Sequence, residues 1–406
     1  MAHVGSSTIA RPAAAAWLLA GLFCCATAFA AESPKLVLQI TVDQLRGDLP
    51  TRYYDRLGDG GFRYLWENGV VYRNAHHAHA NTETIVGHTT LATGAHPAVH
   101  GMVGNLWFDR EAGFTTYNVE DARYPLLTKG ADVDEETEID PTQRAARSEG
   151  RSPAAILVST FSDELKSSTG GEAKVVGVSV KDRGAISMAG HAGTAYWFSK
   201  ASGEYVTSSY YLDEYPAWVT EFNAAKPAQA FANTSWTLAH EQDSYLFGDS
   251  DDREWETDVA GFDRVFPHSF GDGTSPYFTT WLTLSPAGDR LVLDFAKEAL
   301  VNEQLGADGV TDYLSVSFSS TDYVGHVFGP SSLEAEDNIL QLDRTLAELF
   351  AFVDENVGLD NTLIVLSADH GGPDTPGYLN SLGIPAGYVD PESWDKEAAI
   401  GRIKER

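Results

Sequence analysis

Four short runs of apolar, often branched residues constrain this chain most: 35–42, 174–180, 313–318 and 362–366. Runs of this length and composition suit strands buried on both faces of a parallel sheet. Helical patterns separate them. One is expected over 153–165 and another over 289–305. A long amphipathic helix should follow a capping box at 331–334, with Leu340, Leu342, Leu346, Leu349, Phe350 and Val353 as its buried stripe. Residues 51–69 read as a helix pair broken at Gly58-Asp59-Gly60-Gly61. The alternation predicts an α/β fold, a largely parallel central sheet flanked by helices.

An open parallel sheet brings the C-terminal ends of its strands to one rim, where ligands bind. Chemistry-bearing residues stand at each of those ends. Asp43 follows the first run; taken alone, it reads first as a turn aspartate capping the next segment. Lys181-Asp182-Arg183 follows the second. Its cations suit a surface ion pair or a grip on non-bridging phosphoryl oxygens. Asp322 and His326 follow the third run, four apart and able to face one cation. Asp369-His370 follows the fourth, with Gly371-Gly372 leaving room for a substrate. Together these acids and imidazoles form a metal-ligand pattern whose mixed character favours zinc over calcium or magnesium.

The stretch 79–105 supplies a nucleophile. Thr84 precedes a Gly-containing turn (Ile85, Val86, Gly87) and a short helix-like run, 88–93. A hydroxyl at a helix start faces unpaired N–H groups and the positive end of the dipole, which suits an oxygen that carries a phosphoryl group. Threonine is inert at neutral pH without a base or a metal. His76, His77 and His79 lie nearby, but nothing around them fixes a ligand geometry.

The net charge of −30 argues against a nucleic-acid partner and for a solvated acidic surface, including the run 132–138. Residues 1–30 resemble a secretory signal: Arg11, an apolar run over 13–25, and Ala28-Phe29-Ala30 as the cleavage site. That run is too short for a membrane span. Both cysteines, Cys24 and Cys25, lie inside it, so a disulfide-free periplasmic or secreted chain is expected, with 31–406 as its folded part. Residues 191–290 scatter Trp197, Tyr205, Tyr210, Tyr211, Trp218 and Trp236 without a period. This stretch is expected to be an inserted aromatic-rich cap, its rings packing more than binding.

The spaced motifs resemble the alkaline phosphatase superfamily, and within it the bacterial phosphate-irrepressible alkaline phosphatases with a threonine nucleophile. The resemblance runs from about residue 35 to 372. It implies two zinc ions per chain. Asp43, Thr84, Asp369 and His370 would hold one, and Asp322 and His326 the other. Asn105 would contact the phosphoryl oxygens, and Lys181 and Arg183 match the pair that marks the monoesterase branch. The implied activity is hydrolysis of small phosphate esters through a phosphothreonine. The family completes its second zinc site with a histidine near the C-terminus, whereas no histidine follows His370 here. The C-terminal part of the fold is therefore expected to be missing. A phosphodiesterase or nucleotide pyrophosphatase on the same scaffold, and a metal-poor inactive member, remain the alternatives. A sulfatase would need a cysteine or serine in a C-x-P-x-R setting, and the mature chain lacks cysteine.

Overall fold

The computed structural model describes Met1, residues 33–389, Ser393 and residues 397–404. Everything below belongs to one compact unit, Pro34–Arg406. The signal-like residues 2–30 lie outside the described residues. No described helix is long and apolar enough to cross a membrane.

Six strands form the central sheet: β1 (Leu36–Val42), β2 (Val175–Ser179), β3 (Thr194–Ser199), β4 (Glu204–Val206), β5 (Asp312–Phe318) and β6 (Thr362–Ser367). Their order is β6-β1-β5-β2-β3-β4. Every pair is parallel except β3–β4. Thr41 pairs with Ser317 on one side and Ser367 on the other, and Ser317 pairs with Ser179. That register aligns the C-terminal ends of β1, β2, β5 and β6, and with them Asp43, Lys181, Asp322 and Asp369. The strand order reverses direction around β1, where ligands collect in open α/β sheets.

The six helices that matter are α1 (Thr84–Thr93), α2 (Phe161–Ser168), α3 (Asp182–Ala189), α4 (Pro286–Asn302), α5 (Ser320–Val327) and α6 (Leu333–Asn356). Leu38, Ile40, Leu314 and Val316 of the sheet bury with Leu293 and Phe295 of α4 and Leu346 of α6 in one core. Ile85 of α1 and Ile186 of α3 pack with Trp197 in a second. Full burial of such side chains contributes roughly 1.5–3 kcal/mol each. The buried acids of α6 tie loops to its flank. Asp343 accepts from Gly58 N (2.7 Å) and Phe62 N (2.8 Å), and Asp337 from Trp236 Nε1 (2.6 Å).

Several expectations need correction. Residues 153–160 are not helical. The helix begins after Thr160, whose hydroxyl accepts from Asp163 N in a capping box. The cap of α6 is Ser332, accepting from Ala335 N, while Ser331 donates to Asp374 (2.6 Å). β6 is not buried on both faces: it is an edge strand with alternating exposure, Leu363 at 50% and Val365 at 38%. Within residues 191–290, β3 and β4 belong to the central sheet and complete it. The rings of this stretch do pack, as expected. Tyr205 stacks on Phe295 at 4.0 Å, and Trp236 is buried against His268 and Phe266.

Candidate active site

Thr84 is the first residue of α1, not a residue ahead of a turn; Ile85, Val86 and Gly87 form the first turn itself. Gly87 is needed there because a Cβ would run into the backbone carbonyl of Asp369, so its absence lets the helix abut the end of β6. Asn105 completes the helix start. Its Oδ1 accepts from Ile85 N (3.1 Å), and its own N–H donates to the Glu83 carboxylate. No described group accepts the Asn105 side-chain N–H bonds. They are free to face an anion.

Around the Thr84 hydroxyl stand a guanidinium and an imidazole. Arg183 Nη2 lies 3.4 Å from Thr84 Oγ1, and His370 Nε2 lies 3.5 Å from it. Arg183 is 2% exposed and donates to Asp140 Oδ2 (2.8 Å) and Tyr117 Oη (3.3 Å). Burial alone would favour its neutral form, but Asp140 and Tyr117 outweigh that and hold the guanidinium firmly charged. Below it, Asp182 accepts from Tyr117 Oη (2.6 Å) and Arg151 Nε (2.7 Å), a buried network that fixes the start of α3.

Asp43, Asp322 and His370 each offer a ligand atom within 4.8 Å of the others. His370 Nε2 is 3.3 Å from Asp43 and 3.8 Å from Asp322. Lys181 Nζ sits between the two acids, 2.8 Å from Asp43 Oδ2 and also paired with Asp322. Burial pushes the Asp43 carboxyl up, but Lys181 and His370 prevail and hold it well below the usual range. Burial opposes a charged His370 as well; Asp369, Asp43 and Asp322 overcome it and raise the imidazole to about 10. His326 Nε2 lies 3.2 Å from Asp322 Oδ1, with most of its side chain open to solvent. Asp369 is fully buried, accepts from Gln44 N and His370 N, and has His88 Nδ1 2.9 Å from Oδ2.

The compact group is not one of the two ligand sets implied by the resemblance. It takes Asp43 and His370 from one and Asp322 from the other, because both carboxylates converge on the Lys181 ammonium. The donors nevertheless suit a divalent cation. Both oxygens of Asp43 and Oδ2 of Asp369 are buried without a well-directed hydrogen bond, beside an imidazole and a hydroxyl. A cavity of about 790 Å³ opens over Thr84, Asn105, Arg183, His326 and His370. Its far wall includes Val259, Ala260 and Tyr277.

Other expectations fare differently. His77 Nε2 lies 3.0 Å from the Ala368 carbonyl, and its ring is 5.0 Å from that of His79. Neither joins a metal-like group among the described residues. Part of the acidic run is not solvated: Glu138 is buried against Lys200, and Asp132 accepts from Arg151. Four residues went unread. Asp140 looks in sequence like an ordinary cap before Pro141, which it also is. His88 sits inside a helix, and Tyr117 on a strand of a short hairpin, 114–117. Gln44, next to Asp43, gave no signal beyond that adjacency.

A sequence profile of the type I phosphodiesterase / nucleotide pyrophosphatase family matches residues 37–404. The chain is 37% identical over 358 residues to alkaline phosphatase PhoV of Synechococcus elongatus, covering 88% of this chain and 62% of that protein. It is 38% identical over 364 residues to alkaline phosphatase PafA of Elizabethkingia meningoseptica, covering 88% and 64%. It therefore spans under two thirds of the length of both. A crystal structure of PafA superposes with a TM-score of 0.81 at 36% identity, covering 91% of this chain and 69% of that one. The chain belongs to the type I phosphodiesterase / nucleotide pyrophosphatase family within the alkaline phosphatase superfamily, and it is similar to the bacterial alkaline phosphatases PafA and PhoV.

Proposed function

We propose that this protein hydrolyses phosphate monoesters through a phosphothreonine on Thr84, with two zinc ions as cofactors. The observation that carries this reading is the placement of Thr84 Oγ1 at a helix start, 3.4 Å from Arg183 and 3.5 Å from His370. Asp43, Thr84, Asp369 and His370 would hold one ion, and Asp322 and His326 contribute to the other. Bound zinc supplies Lewis acidity and lowers the pKa of an oxygen on it.

The chain's own groups account for the rest. Thr84 Oγ1, its proton passed to solvent water, forms a bond to phosphorus as the bond to the leaving oxygen breaks, and the departing alkoxide takes a proton from water. Arg183 and the free amide of Asn105 donate to the non-bridging oxygens, whose charge dominates the barrier in phosphoryl transfer. The dipole of α1 favours the anion throughout. Lys181 offsets part of the charge of Asp43 and Asp322. Water then cleaves the phosphothreonine and returns the hydroxyl.

Phosphodiester or nucleotide pyrophosphate hydrolysis is the second reading, favoured by the family profile and by a cavity larger than a phosphoryl group needs. A diester offers one fewer charged oxygen to Arg183 and Asn105. Rates on p-nitrophenyl phosphate and bis(p-nitrophenyl) phosphate separate the two, and the monoester is expected to be faster. Zinc analysis tests the metal-poor alternative: two ions per chain support the enzyme, one or none the inactive form. The N-terminal motif supports export to the periplasm or beyond, which fractionation of expressing cells would test.

A further inference from the structure

Gln44 is bound to the site at both ends. It follows Asp43, is 6% exposed, and holds φ at 62°, the left-handed region that residues other than glycine rarely occupy. Its backbone N–H donates to Asp369 Oδ1 at 3.1 Å. Its side-chain Nε2 donates to Asp322 Oδ1 at 2.8 Å. The other side-chain atom, Oε1, lies in a slot made by two glycines. A Cβ on Gly325 would overlap it, and one on Gly372 would approach it to 2.8 Å. Those glycines stand beside His326 and after His370. One side chain therefore touches the turn after β1, helix α5 and the loop after β6.

We propose that Gln44 is a positioning residue for the cation site. Its amide fixes the rotation of the Asp322 carboxylate while its backbone N–H fixes Asp369, so the spacing between ligands of the two ions is set by one residue. Left unheld, Asp322 follows Lys181 and His326, its other charged neighbours. Groups that hold a ligand from behind tune affinity without touching the metal. The unfavourable φ persists because three hydrogen-bonded or packed partners determine it.

This inference rests on the proposed zinc site, and its test keeps the two apart. Gln44→Gly retains the backbone N–H, accepts the positive φ without steric strain and deletes the amide. Gln44→Met keeps the length and removes the donor without adding a charge. Zinc affinity is measured by competition with a chelator, beside the thermal midpoint of the metal-free chain. Both variants should bind the more weakly held zinc about 10–100-fold less tightly. Relief of the positive φ should offset part of the lost packing, so the metal-free Gln44→Gly midpoint should fall by no more than a few degrees. Zinc affinity within about twofold of the parent in both variants, where the parent binds zinc, overturns the role of Gln44 alone. A parent that binds no zinc overturns the site and this inference with it.

Discussion

Nδ1 of His88 lies 2.9 Å from Oδ2 of Asp369, joining the helix that begins with Thr84 to the end of the edge strand β6. The same nitrogen is 3.0 Å from the Thr84 carbonyl, and Nε2 is 2.8 Å from Ser317 Oγ on β5. The imidazole is fully buried. His88→Ala should destabilise the fold by about 2–4 kcal/mol, since it leaves a cavity and strips partners from Ser317 and Asp369. Chemical denaturation measures that loss. Turnover of p-nitrophenyl phosphate should fall in the variant even at temperatures where it is fully folded.

Arg183 is the donor with most at stake in the reaction. Arg183→Ala should lower kcat/KM for a monoester by about 10²–10³-fold. The loss on a diester should be smaller, because fewer charged oxygens are deprived. Arg183→Lys keeps the charge but not the fork whose Nη1 reaches Tyr117 while Nη2 reaches Asp140 and Thr84, so it should recover only part of the rate. Equal losses on both esters would assign Arg183 a purely structural part.

Gly87 offers a steric test of the same geometry. A methyl group there meets the carbonyl of Asp369, so Gly87→Ala must push α1 off the end of β6. Overpacking of this kind costs about 1–3 kcal/mol. Thermal melting should register it, together with weaker zinc binding as Thr84 and Asp369 separate.

Glu256 carries a stability effect that depends on pH. It is 5% exposed, with Oε1 unpartnered. Burial first, and Glu334 second, raise its carboxyl from the ordinary 4.5 to about 8, against the pull of Arg264 and Arg253. A carboxyl raised in the folded state contributes stability that is full below its unfolded pKa and is lost as pH rises through the folded one. The parent should therefore lose thermal stability between about pH 4.5 and 8. Glu256→Gln should lose less, leaving a gap in midpoint of about 5 °C by pH 9. Parallel pH profiles would show that Glu256 ionises freely.

The strands and their terminal acids were readable because burial on both faces demands continuous branched apolar runs, and β1, β2 and β5 obey that demand. β6 has the same composition yet alternates in exposure, since being an edge strand is a fact of the whole sheet and not of six residues. Gly87 was misread as a turn because glycine weakens a helical pattern; close approach to Asp369 is its actual reason, and that lies 282 positions away in the chain. Short strands are expected in the aperiodic stretch 191–290, but nothing local shows that β3 and β4 join the central sheet. Thr160 and Asp163 do spell a capping box, so the true start of α2 was legible. Gln44 and His88 act through contacts with residues distant in sequence, which no local pattern records.

The claim on which the account depends is that Thr84 becomes phosphorylated during turnover. Acid quenching of the zinc-loaded chain in the presence of p-nitrophenyl phosphate, followed by peptide mass spectrometry, tests it directly. One phosphoryl group on Thr84, absent from a Thr84→Ala chain that still binds zinc, is the predicted result. Steady hydrolysis by Thr84→Ala at near-parental rates, with no phosphopeptide in the parent, would contradict it.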